Sequence, residues 1–223
     1  MEMMLGRDDV LDFDQMDEVG KRMEAMIKDL APFPDRRKDF LKGLYRAHRI
    51  LEKETLEKLG VNVACSKGCG FCCYQIVPCF FLEAELIMDY LSEQSFDYKT
   101  KKQMKKKGQQ QRKYIRSLLS TSVATGDKSI YYREAHNTHE STPCLFLSED
   151  NSCLIYDVRP IPCRTYRTLE RCTSVTDIND KSFVIVDGIM SSLLLANEKR
   201  LGQEPADYFM IARLDERGIF ERL

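Results

Sequence analysis

At 223 residues, with 43% hydrophobic and 31% charged side chains, the chain carries enough apolar material for one sizeable domain with helical extensions. A chain of this size does not need the disulfide staples of small secreted domains, and nine cysteines, an odd number, would leave a disulfide framework unbalanced. A net charge of -1 gives no bulk pull toward nucleic acid or membrane.

The opening "MEMMLGRDDVLDFD" is acidic and lacks the basic start and apolar run of a signal peptide. No apolar stretch approaches the length that crosses a bilayer. The expectation is a cytoplasmic protein whose thiols stay reduced. From Gln15 to Leu30, apolar residues at Met16, Val19, Met23, Met26, Ile27 and Leu30 keep the spacing of one helical face. "APFP" breaks the chain, and Asp35 is a plausible N-cap for a second helix carrying Phe40, Leu41, Leu44, Leu51 and Leu59. Gly60 is well placed to end it, because glycine takes the left-handed cap conformation freely. Residues 1–60 therefore read as a helical hairpin.

"CSKGCGFCCYQIVPC" then sets five cysteines in fifteen residues, beginning at Cys65. "FFLEAELIMDYLSEQ" predicts a third helix, with Glu83 and Glu85 favourable in its first turn. "YKTKKQMKKKGQQQRKYIRSLL" predicts a fourth, broken or weakened at Gly108, and "STSVATGDKS" reads as a loop. In "CLFLSEDNSCLIY" two short runs of β-formers flank a polar turn, a hairpin signal with Cys144 and Cys153 at its ends. "DVRPIPCRTY" follows as a rigid turn, and "IMSSLLLANEKRLG" as a closing helix stopped by Gly202. The predicted fold is mainly α: a helical domain with a small β-hairpin and a cysteine-ligated metal site. The segments are a 1–60 helical hairpin, a 61–175 cysteine-cluster domain and a 176–223 helical segment packing on it, together one structural unit.

Metal ligation is the leading use for so many thiols. Closely spaced thiolates lower the entropic cost of gathering ligands. Gly68 and Gly70 let the backbone turn tightly, so that N–H groups can face the sulfurs. The candidate ligands are Cys65, Cys69, Cys72, Cys73, Cys144, Cys153, Cys163 and Cys172. Cys79, inside the apolar run "QIVPCFF", reads instead as a small buried hydrophobe. Cysteine-only sites suit zinc or iron–sulfur clusters, and spacing separates them poorly. Adjacent Cys72 and Cys73 would strain to bind one ion together, which leans the reading toward two metals or a polynuclear cluster, with iron–sulfur favoured over zinc.

Arg159 and Arg164 flank Cys163 and are candidate cofactor-binding residues that would offset thiolate charge or bind an anionic ligand; for Arg159, pairing with Asp157 or a carbonyl is an equally good reading. Tyr156 and Tyr166 read as packing residues. His136 and His139 have a spacing compatible with ligation, yet with the cysteine set sufficient a solvated loop is the better reading. His48, between Leu44 and Leu51, reads as a buried, hydrogen-bonded histidine. The basic run over 99–116 could touch phosphate or RNA weakly. It lacks interleaved stacking aromatics, so a solvated helix face is the better reading.

C-x3-C-x2-C-C at Cys65 to Cys73, followed by "PCLFLSEDNSCLIYDVRPIPCRTY" and Cys172, resembles the CxxCxxCC, or YkgJ-like, proteins described as zinc- or iron-chelating. The most specific stretch is "CLIYDVRPIPCR". The eight cysteines of that family's pattern map onto the eight candidate ligands, and Cys79 falls outside it. Related cysteine domains occur in flagellin lysine N-methylases, but no glycine-rich strand-to-helix motif supports a methyl-donor pocket here. Cys65-x3-Cys69-x2-Cys72 is also the spacing of radical S-adenosylmethionine enzymes, whose fold needs alternating strands and helices after the motif. The expectation is a metal-binding protein with a structural or electron-transfer role, the alternative being an iron-dependent enzyme. The two cysteine groups should converge in space, with Cys79 apart.

Overall fold

The computed structural model describes residues 13–30, 36–66, 68–126, 143–177, 182–184, 187–200 and 209–223. Asp35, His136, His139 and Gly202 lie outside the described residues. The fold is mainly α, as its sequence predicts. Helix α1 spans Phe13–Ile27 and runs into a 3-10 turn at Lys28–Leu30; α2 spans Arg37–Leu59. Val19, Met23 and Ile27 recur every fourth residue on α1 and are buried against α2, whereas Met26 is exposed. Gly60 caps α2 in the left-handed region (φ 65°), its N–H donating to Glu57 O at 3.2 Å.

Helices α3 (Phe81–Glu93) and α4 (Tyr98–Thr125) follow the first cysteine group. Asp97 caps α4, its carboxylate accepting from the Thr100 N–H at 2.7 Å. The helix corrects two expectations. It passes through Gly108 unbroken, and it absorbs Ser120–Thr125, the start of the predicted loop, before Gly126 ends it at φ 69°. Gly108 is there for close approach: a Cβ would come within 2.9 Å of the Phe220 ring and 3.4 Å of Ile211. Packing therefore outweighs the helix propensity that glycine lowers.

The predicted hairpin at Cys144–Tyr156 is a tight turn closed by a single bridge, Leu147 to Cys153, with Ser148 N–H donating to Ser152 O at 2.9 Å. A 3-10 turn (Tyr156–Val158) leads to the short helix α5 (Ile161–Thr165) and strand β1 (Tyr166–Thr168). β1 pairs antiparallel with β2 (Ser182–Val184), Arg167 opposite Phe183. Helices α6 (Asp187–Arg200), α7 (Met210–Glu216) and α8 (Ile219–Arg222) complete the described chain.

One apolar core runs through all of this. It takes Met23 from α1, Leu44 and Leu51 from α2, Ile87 from α3, Met104 from α4, Phe146 and Ile155 from the cysteine turn, and Leu214 from α7. His48 is buried within it, as its position on α2 predicts. Among the described residues, no helix is long and apolar enough to cross a membrane.

Candidate metal centre

Three backbone ties bring the cysteine segments together. The Cys144 N–H donates to Cys73 O at 2.6 Å, joining the first group to the turn. The Ala64 N–H donates to Thr168 O at 2.8 Å, joining Cys65's approach to β1. The Met210 N–H donates to Val77 O at 2.9 Å, closing the exit from the first group against α7. Gly70 sits where the first group meets the turn; a Cβ there would fall 2.8 Å from Leu147 and 3.2 Å from Asn151. Gly68 turns the loop at φ 86°, a conformation that side chains disfavour.

The outcome is one cavity of about 730 Å³. Cys65, Cys69, Cys72, Cys73, Cys144, Cys153, Cys163 and Cys172 all line it. Cys79 does not: it is 1% exposed within the apolar core, its thiol donating to Phe80 O at 3.4 Å. All nine are free thiols.

Burial raises most of these thiols above their ordinary range, Cys69 and Cys153 among them, and local donors offset this in part. Backbone N–H groups two residues on face three of them, Phe71 toward Cys69, Phe146 toward Cys144 and Ile155 toward Cys153. The Phe146 N–H lies 3.4 Å from the Cys144 sulfur. Cys72 is pushed down to about 7, first by the hydrogen bond it receives from the Cys73 thiol, then by the charges of Arg159 and Arg167. Its neighbour is pushed well up by donating that bond and by burial. Burial holds Cys144 up at about 12 and also raises Cys163 well above the ordinary thiol range. Among the described residues, no three His, Cys, Asp or Glu side chains already stand around one point at ligand spacing. Loading would therefore draw the walls inward and displace protons from the buried thiols. With sulfur donors, N–H groups facing them and two guanidiniums nearby, the residues fit a thiophilic metal or cluster.

Of the two candidate arginines, only Arg159 lines this cavity, with its guanidinium 4.0 Å from the centre of the Tyr156 ring. Arg164 turns the other way. Its guanidinium lies 3.6 Å from the centre of the Tyr45 ring, its Nε donates to Arg159 O at 2.8 Å and its Nη2 donates to Asp157 O. The carbonyl pairing that the sequence allowed for Arg159 is made instead by Arg164. Arg167, which the sequence reading passed over, is the second cation of the cavity. It is held by Glu52 of α2 through Nε to Oε1 at 2.7 Å and Nη2 to Oε2 at 2.9 Å. No motif marks it in the sequence, because its place depends on Glu52, more than a hundred residues earlier in the chain.

Behind the cavity, Glu83 organises the approach to Cys163. It is fully buried and accepts from Phe80 N–H at 2.9 Å, Tyr45 O–H at 2.8 Å and Ile161 N–H at 2.7 Å. The last bond fixes the start of α5, two residues before Cys163. Burial pushes the Glu83 carboxyl up to about 7 despite these donors.

A helical scaffold presenting sulfur-lined loops to one cavity defines a class, the cysteine-cluster chelators. The model of the CxxCxxCC family, described as a putative zinc- or iron-chelating domain, matches residues 64–184, just over half of the chain. The protein belongs to that family. No curated protein and no solved structure matches it. Among the described residues, Cys72 is followed by the helices α3 and α4.

Proposed function

We propose that this chain binds metal through Cys65, Cys69, Cys72, Cys73, Cys144, Cys153, Cys163 and Cys172, with iron–sulfur favoured over zinc, in a structural or electron-transfer role. The observation that carries the reading is selective convergence: these eight cysteines line one cavity and the ninth is packed in the core. Iron–sulfur is supported by a cavity of about 730 Å³, far more room than one ion occupies. Arg159 would partly balance the thiolate charge. The test is anaerobic purification followed by metal and sulfide analysis and an absorption spectrum. The expected result is bound iron with acid-labile sulfide and broad visible absorption. Colourless protein holding zinc would transfer the assignment to zinc, and full-length protein that takes up neither metal would sink the reading.

One observation favours a second reading, an iron-dependent enzyme. The cavity has the volume of a ligand pocket, and Leu56, Val63, Val77 and Met210 add an apolar wall. An enzyme of this kind needs an exchangeable coordination position. Adding cyanide or S-adenosylmethionine to the iron-loaded protein distinguishes the two: an unchanged spectrum supports the closed site, and a shifted one supports the enzyme.

A further inference from the structure

The eight sulfurs do not share one environment. Cys144, Cys153 and Cys163 pack against the main apolar core. Their backbone is tied on several sides: the Cys153 bridge to Leu147, the Leu154 N–H to Phe146 O at 2.9 Å, and Glu83 at the start of the Cys163 helix. Cys73 is joined to this group by the 2.6 Å bond from the Cys144 N–H to its carbonyl. Local opening here would have to break core packing.

Cys65, Cys69 and Cys172 lie on the other wall. Cys65 is exposed, and Cys172, although 3% exposed, is buried outside the main core cluster. One hydroxyl, Thr168 Oγ1, stands between two of them, 3.5 Å from the Cys65 sulfur and 3.9 Å from that of Cys172. Outside this contact, this wall is held at the short strand β1 by the Ala64 to Thr168 bond, the two-stranded ladder and the Arg167 pair with Glu52 of α2. A two-stranded ribbon has little stability of its own.

Cys72 and Cys73 are consecutive on the 3-10 turn Phe71–Tyr74. The Cys73 thiol donates to the Cys72 sulfur, and Cys73 otherwise faces Cys144 and Cys163. Cys72 stands between the two walls, and of this pair it is the one that also neighbours Cys69 and Cys172, so it supplies the fourth sulfur on their side.

We propose that the cavity holds two centres of unequal lability: a core-anchored centre of Cys73, Cys144, Cys153 and Cys163, and a peripheral centre of Cys65, Cys69, Cys72 and Cys172 that exchanges its metal with solvent. The proposal rests on the eight-cysteine reading and adds its division and its regulation. The peripheral centre loads and unloads while the core-anchored one stays filled. Occupancy then controls the order of the Ala64–Cys69 loop and of β1 beside it.

The probe is Zn²⁺ titrated into the reduced, metal-free full chain, read by native mass spectrometry and chelator-release kinetics. Eight thiolates at four per tetrahedral ion should bind about two equivalents, released in two phases differing on the order of tenfold or more. Cys65→Ser and Cys172→Ser should each retain about one equivalent, the slowly released one, with helical circular dichroism unchanged. Cys153→Ser should lose the slow phase. Should a variant fail to fold, timed alkylation of the loaded wild-type protein during chelation gives the same discrimination, with Cys65 and Cys69 labelled before Cys153 and Cys163. A single release phase, simultaneous labelling, or loss of all metal from Cys65→Ser would overturn the division in favour of one polynuclear cluster. A wild-type chain that binds no zinc and no iron would instead overturn the eight-cysteine reading beneath it.

Discussion

Two stretches of this chain are each dominated by one chemistry, cysteine around 65–79 and lysine with arginine over 99–116, and the fold treats them in opposite ways. The cations of α4 are dispersed onto separate partners. Lys99 pairs with Glu149 at 2.7 Å, Lys101 and Lys105 reach the carbonyls of Arg222 and Phe220, Lys107 donates to Leu147 O, and Arg112 pairs with Asp215 at 2.7 Å. Cysteines from five separate stretches of the chain are gathered instead, eight of them into one cavity. Density of a residue type in sequence is therefore a poor sign of a site. Convergence from distant positions is the informative event, and it needs the fold. The basic helix still serves the cavity indirectly, because Lys99, Gln103 and Lys107 all hold the Leu147–Glu149 end of the cysteine turn.

The largest effect should come from breaking the gathering itself. Cys163→Ser removes a donor from the wall that packs on the core, and metal affinity is folding free energy for a site that the unfolded chain lacks. Loss of metal and a Tm lower by roughly 10 °C or more are expected, of the order that several kcal/mol produces in a domain of this size. Hydrogen exchange after chelation should rise at the cysteine turn and β1 while α1 and α2 stay protected, since those helices bury their own apolar faces. Unchanged stability after verified metal removal would deny the metal a structural role.

Much of the helical frame was legible in sequence because period and caps report local physics. Gly60 ends α2 and Asp97 begins α4 through bonds made within a few residues. What was not legible depends on contacts between distant residues. Gly108 reads as a helix breaker until Phe220, more than a hundred residues away, turns out to occupy the space a side chain would need. Arg167 and Thr168 carry no motif, and their place at the cavity exists only through Glu52 and the sulfurs of Cys65 and Cys172.

Next in size is the pH response of the carboxylate behind the gathered wall. Burial raises Glu83 from 4.5 to about 7, so the folded state holds a proton that the unfolded state releases. Its stabilising contribution is complete below about 4.5 and is lost as pH rises through about 7, on the order of 3 kcal/mol in all. Tyr45 and Arg164 face this group, and acid also releases thiolate-bound metal, which pulls the other way. The comparison of wild type with Glu83→Gln at equal metal loading isolates the carboxylate. Denaturant unfolding should show the wild-type advantage shrinking with rising pH, and a constant difference between the two would contradict the assignment.

Gly108→Val tests the dispersing side of the comparison. The added side chain meets the Phe220 ring at 2.9 Å and disturbs the seam where α4 lies on α7 and α8. Overpacking of this kind costs about 1–3 kcal/mol. Unfolding should shift accordingly while metal stoichiometry holds, because neither Gly108 nor Phe220 lines the cavity. A gain in stability would mean that helix propensity outweighs the close approach.

The smallest effects separate the cations that brace the cysteine turn from those that merely lie on the helix. Lys107 is part-buried and donates to a backbone carbonyl of the turn, and a charged hydrogen bond of that kind contributes about 1.5–3 kcal/mol at most. Lys107→Met keeps the aliphatic stem and removes the donor, so its cost should fall near the lower end, about 1.5 kcal/mol. It should also speed metal release, because Leu147 is bridged to Cys153. Lys99→Ala should do much less. Its side chain is 70% exposed, its pair with Glu149 is screened by solvent, and Gln103 keeps a second hold on the same carboxylate. Chelator-release rates compared across the two variants measure the difference directly. Equal rates would leave α4 as a scaffold with no particular grip on the turn, and faster release from Lys107→Met alone would tie the dispersed cations to the gathered thiols.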